Sequence, residues 1–160
     1  MKNLDEKINN SIHEAIFLSY FKAFCQKNSN SQRKRRVRNI LSNSNNKCDC
    51  IYNIFKNELS VEFNKKESSR MLELVTAYLN KSTYRKKIPQ SIKHKLLDSQ
   101  DFKCSICGAE IDIDSHADHI IPFKLVGDEL KNNLQMLCEK CNSSKNASID
   151  YQIRFLLKLI

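Results

Sequence analysis

The sequence predicts an α+β fold, mostly helical, in which a helical N-terminal region precedes a small module framed by cysteines. Three observations carry that expectation. Helix breakers are nearly absent from the first eighty residues, because the chain has two glycines and two prolines and all four, Pro89, Gly108, Pro122 and Gly127, lie later. Two C-x-x-C pairs, Cys104 with Cys107 and Cys138 with Cys141, stand 34 residues apart. Between them lie two apolar stretches short enough to be strands.

The elements follow in chain order. Ile8, Ile12, Ile16 and Tyr20 recur at four-residue steps, and Phe17, Phe21 and Phe24 widen the stripe, which predicts a first amphipathic helix. The segments KNSNSQRKRRVRN and LSNSNNKCDC are polar and poor in apolar residues, so a loop or a frayed helix end is expected there. Met71, Leu72, Val75, Tyr78 and Leu79 predict another helix. From Lys81 the chain becomes a basic linker, and Pro89 can open a helix whose apolar side is Ile92, Leu96 and Leu97. Asp118 to Ile121 form a β-like stretch closed by Pro122, which cannot continue a central strand. Leu134, Met136 and Leu137 form a second strand, and a helix begins near Asn142. The end, YQIRFLLKLI, is apolar enough to pack back as a helix or strand. Residues 1–80 are thus the helical region and residues 81–160 the module.

A chain of 160 residues can form one domain, or a small module with an appendage. No apolar run reaches membrane-spanning length, and acids near the start do not suit a signal peptide, so a cytoplasmic location is the default expectation. The net charge of +9 is uneven. Residues 1–103 hold 21 Lys and Arg against 10 Asp and Glu, whereas residues 104–160 hold 6 against 8. A strongly basic segment beside an acidic-leaning one suits a site presented to a polyanion. The basic arm QRKRRVR at 32–38 is its densest part, and Arg33, Lys34, Arg35, Arg36 and Arg38 are candidate DNA contacts. Arg85, Lys86 and Lys87 make a second basic strip.

Seven cysteines, four of them in matched pairs, argue for metal rather than disulfides. Cys104, Cys107, Cys138 and Cys141 would complete a tetrahedral zinc site, structural because four thiolates leave no position for substrate. Such a site contributes on the order of 10 kcal/mol to a small module. Cys25, Cys48 and Cys50 read as ordinary thiols.

With zinc satisfied by sulfur, the residues between the pairs are free for other chemistry. Asp118-His119-Ile120-Ile121-Pro122, Asn133-Leu134-Gln135 and Cys141-Asn142-Ser143-Ser144-Lys145 resemble the recurring motifs of the HNH endonucleases, the ββα-metal family. The resemblance covers roughly residues 88 to 150, with Asn142 standing where some members have the final histidine. It implies a ββα-metal (HNH) module that hydrolyses DNA phosphodiesters to 3′-hydroxyl and 5′-phosphate ends. His119 would be the general base, since histidine titrates near neutral pH. Asp118 and Asn142 would hold a catalytic magnesium or manganese ion through oxygen. Asn133 would tie the loop and orient the histidine, and Lys145 would meet a phosphate. Neighbours on a strand point to opposite faces, so Asp118 and His119 require a distorted backbone to serve one phosphate. His116 stands outside this set.

Small proteins of this kind are often restriction or anti-phage nucleases, and some belong to mobile elements, a role that rests on analogy. The alternative is a catalytically inactive, zinc-stabilised nucleic-acid-binding module. A zinc deaminase would want H-x-E and then P-C-x-x-C, whereas Ala117 and Asp118 follow His116 here. A homodimer and a partner subunit are both compatible with the sequence.

Overall fold

The computed structural model describes residues 2–158. Five helices come first: α1 (Lys2–Lys27), α2 (Ser31–Ser42), α3 (Lys47–Leu59), α4 (Lys65–Asn80) and α5 (Gln90–Ser99). Strand β1 (His116–His119), the one-turn α6 (Phe123–Val126), strand β2 (Leu134–Leu137), α7 (Glu139–Lys145) and α8 (Ile149–Leu157) complete the order. The α+β class therefore holds, with helices dominating. No helix among the described residues is long and apolar enough to cross a membrane.

The aromatic residues of α1 build the main core. Phe21, Phe24 and Phe55 are fully buried, and the Phe24 and Phe55 rings stack with centroids 5.2 Å apart. The buried seam of α1 runs through Ala15, Phe17, Leu18, Phe21, Phe24 and Cys25. Ile16, expected on the apolar stripe, is 46% exposed. At about 100° per residue the row from Ile8 to Ile16 lies on the side of α1 away from this seam, and Tyr20, one step on, turns back far enough to pack against the core.

The polar segment after α1 is helix, not loop. Asn30 caps α2 by accepting from the Arg33 amide, and Asn46 caps α3 by accepting from the amides of Cys48 and Asp49. A capping box between Asn64 and Glu67 starts α4. Helix α2 buries only Val37 and Leu41, but its basic side chains brace it. Arg33 donates to the Lys27 carbonyl at 2.6 Å, Lys34 lies 4.5 Å from the Tyr78 ring centroid, and Arg38 donates to the Leu79 carbonyl. Three of the five expected DNA contacts, Arg33, Lys34 and Arg38, are thus engaged by the protein itself.

The cluster of buried apolar residues crosses residue 80. Ile121, Val126, Ile149 and Ile153 share it with the residues of α1, α3 and α4. Helix α8 packs along α1, so the C-terminal element returns to the N-terminal region. Leu159 and Ile160, the end of that expected element, lie outside the described residues.

Strands β1 and β2 pair antiparallel, with Asp118 opposite Gln135 and His119 opposite Leu134. The first strand ends earlier than the expected Ile121. The Asn133 side chain accepts from the Ile121 amide and donates to its carbonyl, both at 2.8 Å, replacing ladder bonds there. Gln100, just past α5, does the same for Met136, accepting from its amide at 2.8 Å and donating to its carbonyl at 3.0 Å. That amide blocks the open edge of β2.

Candidate functional site

The cysteine knuckle forms around a tight turn. The Cys104 amide donates to Ala109 and the Gly108 amide to Cys104, while Gly108 adopts a φ of +72° that disfavours other residues. This brings Cys104 and Cys107 to Cys138, which precedes α7, and Cys141, which lies within it. All four sulfurs fall within 4.8 Å of one another, and those of Cys107 and Cys138 are 3.8 Å apart. A tetrahedron with zinc–sulfur bonds of about 2.3 Å has an edge of about 3.8 Å, so the donors fit zinc. Burial pushes the Cys104 thiol up, but amides of Cys107, Cys138 and Ile106 bring it down to about 7. Burial and the three neighbouring sulfurs push Cys141 well above the usual thiol range. A cation at the centre relieves that crowding of negative charge.

Fourteen residues after Cys104, β1 delivers Asp118, and then His119, to one place. The Nη2 atom of Arg85 lies 3.4 Å from His119 Nδ1 and 3.8 Å from Asp118 Oδ1. The alternation problem is therefore met at the strand end, where both side chains reach the same guanidinium.

His119 is buried, and its ring packs edge-on to Phe123 with centroids 5.5 Å apart. Its Nε2 lies 2.9 Å from Asp128 Oδ1. Guanidinium can only donate, so Nδ1 accepts from Arg85 and the ring proton sits on Nε2, donated to Asp128. The Asp128 carboxylate is itself oriented, because Oδ2 accepts from the Lys86 amide at 2.9 Å. Partial burial raises the Asp128 carboxyl, but the Lys86 amide and His119 outweigh it and hold the group below its ordinary value. Gly127 supplies the turn before it: φ is +63°, and an added Cβ would lie 2.0 Å from a Glu129 oxygen and 3.1 Å from Lys81 Cβ. Asp128 reads as an ordinary turn residue in sequence, and only the fold reveals its contact with His119.

Lys145 departs most from expectation. Its side chain is fully buried, and Nζ donates to Asp118 Oδ2 at 2.7 Å and to the His119 carbonyl at 2.6 Å. A buried ammonium cannot meet a phosphate from solvent, so this residue fastens α7 to β1 instead. Asn142 sits one turn earlier on α7, which puts it on the helix face that carries Lys145 toward Asp118. Helix α7 starts at Glu139 rather than near Asn142. Asn133, 4% exposed, clamps Ile121 as described, two residues past His119. His116 is exposed at the start of β1. A cleft of about 500 Å³ opens beside His119 and Asp128, with Lys86, Lys87 and Lys95 among its lining residues.

Residues 104–148 match the family model described as HNH endonuclease. That segment runs from the first zinc-type cysteine through β1, β2 and α7, so it contains the four cysteines, Asp118, His119, Asp128, Asn133, Asn142 and Lys145, while Arg85 and the lysines lining the cleft lie before it. Searches of curated proteins and of solved structures found no match.

Proposed function

We propose that this chain, which carries an HNH endonuclease domain over residues 104–148, hydrolyses DNA phosphodiesters with the help of a divalent cation. The observation that carries the reading is the convergence of His119 Nδ1 and Asp118 Oδ1 on Arg85. An anionic phosphate oxygen can take the place those two groups leave beside the guanidinium.

His119 is the general base. Asp128 holds Nε2–H, so the Nδ1 lone pair faces the phosphate side and accepts the proton of the attacking water. Asn133 keeps the loop, and with it the ring, in place. Asp118 Oδ1 and the Asn142 amide oxygen supply hard donors for magnesium or manganese, which when bound neutralises charge developing on the phosphate. Lys145 holds the other carboxylate oxygen, which presets the direction of Oδ1. Arg85 contacts the nonbridging oxygens, and Arg35 and Arg36 add charge for the duplex. The products are 3′-hydroxyl and 5′-phosphate ends, and a restriction or anti-phage role fits a small basic nuclease.

One observation favours a second reading, a nucleic-acid-binding module without catalysis: Lys145 already neutralises Asp118 at 2.7 Å. Incubation with supercoiled plasmid and magnesium or manganese separates the two. Nicking that disappears in His119→Ala supports the nuclease, whereas retention of plasmid without any cut supports the binding module.

A further inference from the structure

We infer that the outward face of α2 enters the DNA major groove and reads bases, which makes it the specificity element of the nuclease; this rests on the functional reading above. Gln32, Arg35, Arg36, Asn39 and Asn43 are all exposed, and with Ile40 they line one shallow groove. At about 100° per residue, these five polar side chains fall within a sector of about 100°. The buried Val37 and Leu41 lie on the opposite side. The helix therefore has a braced inner face and a polar outer one.

The chemistry of the outer face is that of base recognition. Arginine can pair bidentately with guanine, asparagine and glutamine with adenine, and an aliphatic side chain can touch the thymine methyl. Amides can also donate to phosphate oxygens, but three of them beside two arginines on one helix face form the set that base edges need. No acidic residue occurs anywhere in SQRKRRVRNILS, so nothing on α2 repels a phosphate backbone. A helix of 12 residues is about 18 Å long and fits a groove about 12 Å wide. The anchoring of Arg33, Lys34 and Arg38 behind it fixes the orientation before DNA arrives.

The fold also bounds where the cut would fall. Arg38 is bonded to the Leu79 carbonyl, and Arg85 beside His119 is six residues further along the chain. Six residues span at most about 20 Å, and the thickness of α2 adds about 10 Å. The bases read by α2 therefore lie within about one helical turn of the scissile phosphate.

Selection from a pool of random duplexes tests this with the intact protein and no added divalent cation, so that binding is read without cutting. The expected result is a short enriched sequence. Asn39→Ala, which keeps the charge, should lower enrichment at one or two positions about tenfold, with unchanged melting and unchanged binding to bulk DNA at low salt. Arg35→Ala should relax a different position. Enrichment that is absent, or identical in both variants, overturns the inference. Plasmid cutting by the wild type then judges the nuclease reading separately, since a nuclease without sequence preference would still cut.

Discussion

The ammonium of Lys145 lies 2.7 Å from the Asp118 carboxylate and has no contact with solvent. The pair joins α7 to β1 at the point where the strand ends at His119, so it ties the geometry of the candidate site to the stability of the module. Removing one partner of a buried pair typically costs about 3–5 kcal/mol. Asp118→Ala should therefore destabilise the protein by about 3 kcal/mol, because the ammonium keeps only the His119 carbonyl. Asp118→Asn leaves an acceptor and should cost less, yet it removes the negative charge proposed to hold the divalent cation. Urea denaturation of both variants checks this, and adding Lys145→Met to Asp118→Ala should restore part of the loss. Equal stability of wild type and Asp118→Ala would show that the pair is not formed.

Asp128 should act on rate rather than on DNA binding. With Asp128→Asn the acceptor for Nε2–H weakens and the ring can turn, so kcat should fall about 10- to 100-fold, the range typical of residues that orient a functional histidine. KM for DNA should change little, since in the proposed arrangement Asp128 acts through Nε2 and the phosphate lies on the Nδ1 side. A matched fall in kcat and rise in KM would argue for a general structural defect. The carboxyl also titrates below its usual value in the fold. Its stabilising contribution is therefore full above the unfolded pKa of about 3.9 and lost as pH falls through the lower folded value. The stability difference between wild type and Asp128→Asn should be constant above about pH 5 and shrink below about pH 4.

The cysteine cluster should hold one zinc ion per chain. Cys107→Ser removes a donor at the exposed edge of the cluster, and metal analysis should show zinc falling toward zero while the melting temperature drops steeply. Structural zinc is worth on the order of 10 kcal/mol, comparable to the whole stability of a typical domain. Zinc retained at one per chain in the variant would mean that the four sulfurs are not the ligand set.

The parts of this molecule written in residue type were legible in the sequence, and the parts made by tertiary contact were not. Paired cysteines at two-residue spacing carry their ligand geometry with them, and the D-H and N-L-Q motifs mark the two strands. Helix α2 was hidden because its code is mostly charge. Only Val37 and Leu41 face the core, and Arg33, Lys34 and Arg38 supply the remaining anchoring through hydrogen bonds to carbonyls and a cation–π contact. Lys145 was misplaced for a similar reason. Spacing put it on the same face as Asn142, but spacing cannot say that β1 covers that face. Asp128 carried no local signal, since an acid after glycine is common in turns. Of the stripe predicted on α1, Phe17, Phe21 and Phe24 mark the buried face, whereas Ile16 does not, because the apolar residues spread over a wider arc than the core covers.

The central claim is that two kinds of metal do separate work, sulfur-bound zinc shaping the scaffold and an oxygen-bound divalent cation enabling the cut. Zinc content and DNA cleavage measured together on the same protein, first without and then with added magnesium or manganese, test it most directly. The account predicts one zinc per chain throughout, no cleavage until the second cation is added, and no cleavage by His119→Ala under either condition. Cleavage that follows zinc content and needs no added cation would contradict it.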